Sequence, residues 1–193
     1  MTREKILEAA AQIFSQKGYH ATSMNDIASA VNLQKASLYY HVENKQEILL
    51  SLLEEALELV TNKVRVVNHK SVSSDEKLRW AMRIYLETLG EQRDLAAILL
   101  LEHRSLDPDL HKSHAPQRDR FEQLWRDLVQ AGIDEGIFYP RDVPLTTRAL
   151  LGAMNWVVTW YQEGGMFTIT EISDQYADLI LNGMMKKDGG NGA

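Results

Sequence analysis

The stretch Thr22–Lys45, TSMNDIASAVNLQKASLYYHVENK, constrains the fold more than any other part of the chain. Met24, Ile27, Ala28 and Val31 recur at spacings of three and four, marking one face of a helix. Ser23 stands directly before that run and Asp26 three residues after it. This is capping-box spacing, with Asp where Glu or Gln is usual. Asn32 sits at the break, where a sharp helix-to-helix turn needs the left-handed conformation that Asn tolerates. Leu33, Leu38 and Val42 are the apolar residues left to pin a second helix of about two turns onto the first. Lys35, Ser37, Tyr39, Tyr40 and His41 remain as its outward polar and aromatic groups. A short helix anchored from behind, with donors and rings outward, suits a DNA major groove.

The remaining chain predicts an all-α protein of about nine helices. A first helix over residues 2–17 buries Ile6, Ala10, Ile13 and Phe14 and stops at Gly18. Asn44 and Glu47 open a long helix over 45–67. Further helices are expected at 75–91, 92–104, 117–135, 145–162 and 171–185, with a SLDPDLHKSHAP segment, irregular at least in part, before the third of these. The expected organisation is a three-helix helix-turn-helix head at 1–47, a ligand-binding and dimerisation body at 48–185 and a Gly-rich disordered tail at 186–193.

Composition excludes several classes. With no cysteine among 193 residues, disulfides, thiolate metal sites and cysteine nucleophiles are all absent. No apolar run reaches bilayer length, and the N-terminus lacks a signal peptide's apolar core, so no membrane association and a cytoplasmic location are expected. The net charge of −6 is uneven: residues 1–45 carry five basic and four acidic side chains, the rest 16 and 23. Non-specific DNA affinity is therefore expected to be modest, and the acidic body helps aim the head. There is no nucleophile elbow, phosphate-cradling glycine loop or HExxH, so no enzyme and no catalytic residue are expected. No metal ligand is expected among His103, His111 and His114, and the latter two are read as solvated residues of a loop beside Asp107 and Asp109.

The helix over 145–162 is apolar nearly all round, and Ala149, Gly152 and Ala153 admit a close neighbour. With the final helix it forms the surface expected to make a homodimer. Tyr85, His103, Phe121, Trp125, Asn155, Trp156 and Trp160 supply the mostly apolar lining, with a few polar groups, that a small-molecule effector site needs.

The opening stretch resembles the DNA-binding domain of the TetR (tetracycline-repressor) family through Thr22, Ile27-Ala28, Lys35, Leu38-Tyr39, His41 and Lys45. It departs from that pattern at Asn32, Gln34, Ala36 and Val42, where the family often has Gly, Ser or Thr, Gly and Phe. The resemblance implies a repressor binding a palindromic double-stranded DNA operator as a homodimer. Lys35 and Ser37 are then the base-edge candidates, and Thr22, Ser23, Tyr39, Tyr40, His41 and Lys45 the phosphate and positioning candidates. Residues 132–183 and Glu102–Leu106 are similar to the members that respond to acyl-CoA thioesters. This implies no cofactor but a fatty acyl-CoA or related CoA thioester as effector, with Arg104, Arg118 or Arg148 meeting CoA phosphates. The competing expectation is a helical enzyme or adaptor whose head does not read DNA. A salt-dependent gel shift separates the two.

Overall fold

Capping decides where most helices begin in this computed structural model, which describes residues 2–186. Nine α-helices occur among them: α1 (Arg3–Lys17), α2 (Met24–Ala30), α3 (Lys35–Leu38), α4 (Lys45–Arg65), α5 (Ser74–Glu91), α6 (Arg93–Ala97), α7 (Pro108–Asp134), α8 (Val143–Trp160) and α9 (Ile169–Met184). The described residues contain no strand, only an isolated bridge between Phe138 and Met185. They fall into two compact units. The first runs to Leu59 and includes Gln92–Asp119; the second comprises Val60–Glu91 and the residues from Arg120 onward.

In the first unit, α1 buries Ile6, Leu7, Ala10, Ala11 and Phe14, whereas Ile13 is only half-buried. Gly18 ends it at φ +82°, a conformation that favours glycine. The α2 capping box is complete: Ser23 Oγ accepts from the Asp26 N–H, and the Asp26 carboxylate accepts from the Ser23 N–H at 2.8 Å. Asn32 then adopts φ +54°. Helix α3 is shorter than predicted, one turn followed by a turn through His41, in which the Tyr40 and His41 N–H groups donate to the carbonyls of Ser37 and Leu38, three residues back. Asn44 Oδ1 accepts from the Glu47 N–H at 2.9 Å, while the Glu47 carboxylate accepts from the Glu43 N–H and from Arg3.

The segment after α6 changes helix type twice, a π turn over Ile98–Glu102 and a 3-10 turn over His103–Ser105. Polar bonds tie α6 and this stretch to the residues of α1, its C-terminal connection and α4. Ser15 donates to Asp94, and the Tyr19 N–H donates to Glu102 Oε1 at 3.1 Å. Gln46 donates to the Ser105 carbonyl at 2.9 Å and accepts from the Asp107 N–H at 3.1 Å.

The SLDPDLHKSHAP segment is mostly helix, not the irregular connection its prolines suggest. Pro108 occupies the first helical position, where no N–H is needed, and the Asp107 carbonyl accepts from the His111 N–H at 2.8 Å. Pro116 lies inside the helix, and the carbonyl it cannot serve belongs to exposed Lys112, within reach of solvent. The histidines of this stretch are therefore helical, and His114 is 1 % exposed.

In the second unit, α9 lies antiparallel along α5. Arg79 pairs with Asp178 at 2.7 Å, Arg83 with Asp174, and Thr170 donates to Glu87 at 3.3 Å. Ile169 closes over Gly90, where an added Cβ would stand 3.1 Å from its side chain. A Thr168–Glu171 capping box starts α9 two residues before the predicted boundary. Beyond α9, Lys186 donates its N–H to the Ile137 carbonyl at 2.9 Å, so it does not share the predicted disorder; residues 187–193 lie outside the described residues.

Candidate nucleic-acid interface

The outward face of α3 is built as its sequence pattern requires. Leu38 and Val42 are buried beneath it, together with Ile27 and Ala28 of α2. Lys35 and Ala36 are exposed, Ser37 and His41 half-buried, and Tyr39 and Tyr40 are 45 % and 88 % exposed. A cation, a hydroxyl, an imidazole and two phenols thus project from one turn and its continuation. This is a donor-rich, aromatic surface with no carboxylate between Gln34 and Val42.

Thr22, Ser23 and Lys45 are placed differently. Thr22 is 2 % exposed and its hydroxyl donates to the Gly18 carbonyl at 2.9 Å. Ser23 is committed to the α2 cap. The Lys45 ammonium donates to the carbonyls of Tyr19 at 2.8 Å and Thr22 at 2.6 Å, and stands 4.2 Å from the centre of the Tyr19 ring. Desolvation holds its pKa below the ordinary lysine value, with the Glu102 carboxylate opposing. Lys45 therefore braces the α1–α2 connection against the start of α4. Sequence reasoning missed Tyr19 and Glu102 as parts of this brace. The signal was faint: an aromatic residue just after the Gly18 stop.

The residues expected to line an effector site divide between the units. Tyr85, Phe121, Trp125 and Asn155 come together in the second unit. The Tyr85 ring centre lies 5.6 Å from both Phe121 and Trp125, and its hydroxyl donates to Asn155 Oδ1 at 2.7 Å. Burial pushes the Tyr85 phenol well above its ordinary pKa. Trp125 is fully buried and its indole N–H has no partner. Trp156 and Trp160 instead face outward, 65 % and 42 % exposed. Their neighbours Met154 and Val157 point into the core. His103 and Arg104 belong to the first unit. Among the described residues no group of His, Cys, Asp and Glu is arranged to hold a metal ion. No helix there is long and apolar enough to cross a membrane.

Residues 6–52 match the family described as bacterial regulatory proteins, tetR family, and residues 71–184 match the tetracyclin repressor-like C-terminal domain. A TetR family transcriptional regulator from Thermus thermophilus, PfmR, is 34% identical with a TM-score of 0.85, covering 92% of this chain and 97% of its own. The transcriptional repressor KstR2 of Mycobacterium tuberculosis is 29% identical over 188 residues, 96% of this chain and 94% of the relative. The structure of that regulator, named as a ketosteroid transcriptional regulator, superposes with a TM-score of 0.86. AibR, solved with isovaleryl coenzyme A and operator DNA, shares the fold at a TM-score of 0.86 and 24% identity, over 92% of this chain and 96% of its own.

Proposed function

The chain belongs to the TetR family of bacterial transcriptional regulators, which bind operator DNA as dimers and respond to small-molecule effectors, and from that premise we propose a repressor released from a palindromic operator by an acyl-CoA or related CoA thioester. The observation that carries the DNA assignment is the exposed Lys35–His41 face over buried Leu38 and Val42. We assign base-edge contacts to Lys35 and Ser37, and phosphate contacts to Tyr39, Tyr40 and His41. Thr22, Ser23 and Lys45 act as positioning residues. Residues 1–47 serve as the head and 48–185 as the body. As a regulator rather than an enzyme, the protein works where the DNA is, in the cytoplasm.

The dimer face is assigned to α8 and α9. Leu145, Trp156 and Leu179 are exposed there beside exposed Ala149, Gly152, Ala153 and Gly183, a large apolar area with small residues for close approach. Two heads spaced by about 34–36 Å read successive half-sites, so a separation change of a few ångströms on effector binding weakens the complex. Ligand and DNA must then weaken each other reciprocally. The effector's apolar part is assigned to the Tyr85–Phe121–Trp125 cluster. AibR's isovaleryl coenzyme A supports a CoA-linked acyl group as the class, and KstR2's ketosteroid designation supports an apolar ligand body.

Selection of bound genomic fragments followed by salt-dependent gel shifts tests the DNA reading. Tyr40→Ala should lose retardation with the dimer intact. No sequence-specific retardation of any fragment would refute it. Thermal shift with a CoA thioester panel tests the effector class, and no stabilisation and no operator release by any member would remove it.

A further inference from the structure

A polar atom inside the ring cluster of the second unit is unpaired. Trp125 is fully buried, and its indole N–H, which can only donate, has no hydrogen-bond partner. Two rings meet the indole edge to face or tilted steeply to it. The Tyr85 ring centre stands 5.6 Å away and the Phe121 centre 6.2 Å, each at 74°. A ring face is at most a weak substitute for an oxygen acceptor. The Tyr85 hydroxyl is committed to Asn155 Oδ1. Within a turn along α7, Phe121, Leu128 and Val129 are apolar and buried. Glu122 is turned to Arg126 at 2.5 Å and Arg148 at 3.6 Å. Buried donors are almost always paired, so this one calls for a partner.

A second unpaired group belongs to the same unit. The Arg148–Glu122 pair brings the first turns of α8 alongside this part of α7. Thr147, next to Arg148, is fully buried, and its hydroxyl has no partner. Thr88 and Ser173, buried on other helices of this unit, turn their hydroxyls back onto the carbonyls of Ile84 at 2.6 Å and Thr170 at 2.7 Å. The Thr147 hydroxyl makes no such bond. Two neutral donors beside aromatic rings are the complement of a neutral acceptor. A carboxylate would be buried there against an indole and a hydroxyl, while the guanidiniums of the neighbouring turns already share Glu122. A carbonyl oxygen carries no such penalty and has lone pairs for both donors.

We propose that the Trp125 indole N–H donates to the acyl carbonyl oxygen of the effector, with the Thr147 hydroxyl as the second donor. The proposal rests on the assignment of the effector's apolar part to the Tyr85–Phe121–Trp125 cluster. It narrows the effector to compounds whose apolar body carries a neutral carbonyl, as a thioester does and a hydrocarbon chain or a free acid anion does not.

The test compares, on full-length protein, isovaleryl-, octanoyl- and palmitoyl-CoA with the three thioethers in which a methylene replaces the thioester carbonyl. By titration calorimetry at least one thioester should bind about tenfold tighter than its thioether, the scale of one good hydrogen bond. Trp125→Phe should remove that preference, weakening the thioester about tenfold and leaving the thioether as it was. A residue that only packs would weaken both alike. Thr147→Val, which keeps the shape and drops the hydroxyl, should reduce the preference in the same sense. If Trp125→Phe fails to fold, indole nitrogen-15 spectra of wild-type protein decide. The Trp125 signal is assigned by replacing exposed Trp80, Trp156 and Trp160 with Phe one at a time. Its N–H resonance should move downfield with the thioester and not with the thioether. Octanoate should bind no more weakly to Trp125→Phe than to wild type; a loss there would show that the indole takes a carboxylate. Equal affinity of every thioester and its thioether, or a preference kept by Trp125→Phe, overturns the proposal and leaves the CoA-effector reading standing. No saturable binding by any of the six CoA compounds overturns both.

Discussion

Replacing Lys45 with Met should destabilise the head without touching the electrostatics of DNA binding. Two carbonyls, of Tyr19 and Thr22, lose an ammonium donor at 2.8 and 2.6 Å, and the Tyr19 ring loses a cation at 4.2 Å. A hydrogen bond to a charged group contributes roughly 1.5–3 kcal/mol. Because Lys45 is only half-buried, the low end applies to each of the two bonds, giving about 3 kcal/mol. The ring contact adds about 0.5 kcal/mol at such a site. Water regains part of this at the freed carbonyls, leaving a net loss of about 2–3 kcal/mol. For a chain of this size each kcal/mol lowers the melting temperature by about 2–4 °C, so a fall of roughly 5–10 °C is expected. Scanning fluorimetry reads that fall. The slope of log affinity against log salt on an operator fragment reads the alternative. A lysine on phosphate contributes about 0.9 to that slope, or about 1.8 for the two of a dimer. The brace predicts an unchanged slope with a lowered melting point. A slope reduced by about 1.8 with no loss of stability would refute it, showing that the ammonium leaves its carbonyls for the DNA.

Asn32→Val should cost about 1–2 kcal/mol in urea denaturation, since a β-branched side chain is forced to φ +54°, whereas Asn32→Gly should be tolerated. Stability should also depend on pH in a defined direction. His103 and His114 have pKa values held below the ordinary 6.5, so the unfolded chain takes up protons before the folded one does. The contribution is complete above about pH 6.5 and is eroded as the pH falls below it, and His114→Leu should flatten the melting temperature between pH 7 and 5.5. Leu179→Glu, at a 76 % exposed position of α9, should give a monomer by light scattering and lose at least about tenfold in operator affinity, because a single head reads one half-site.

The local chemistry of the head was legible in the sequence because its determinants lie within three or four residues of each other. The Ser23–Asp26 box and the Asn32 turn are of this kind. The Thr168–Glu171 box is equally local, but the apolar periodicity that marks α9 begins only at Ile172. Proline misled at α7, since Pro108 starts the helix and Pro116 spends its missing bond at an exposed carbonyl. The carbonyl bonds of Lys45 were hidden because its partners lie 23 and 26 residues away, and a lysine pattern looks the same whether the ammonium meets phosphate or a carbonyl. On α8, uniform hydrophobicity left no contrast to separate the core face of Met154 and Val157 from the outer face of Trp156 and Trp160. The Tyr85–Asn155 bond joins residues 70 apart and needed the fold itself.

The π turn at Ile98–Glu102 has a mechanical corollary. It holds one residue more per turn than the helix leading into it, so expelling that surplus residue advances everything beyond by one register step. One step swings a side chain through about 100°, enough to pull Glu102 off the Tyr19 amide and carry Ser105 away from Gln46. A winding change confined to five residues can therefore act as a ratchet tooth, releasing both latches together instead of one at a time.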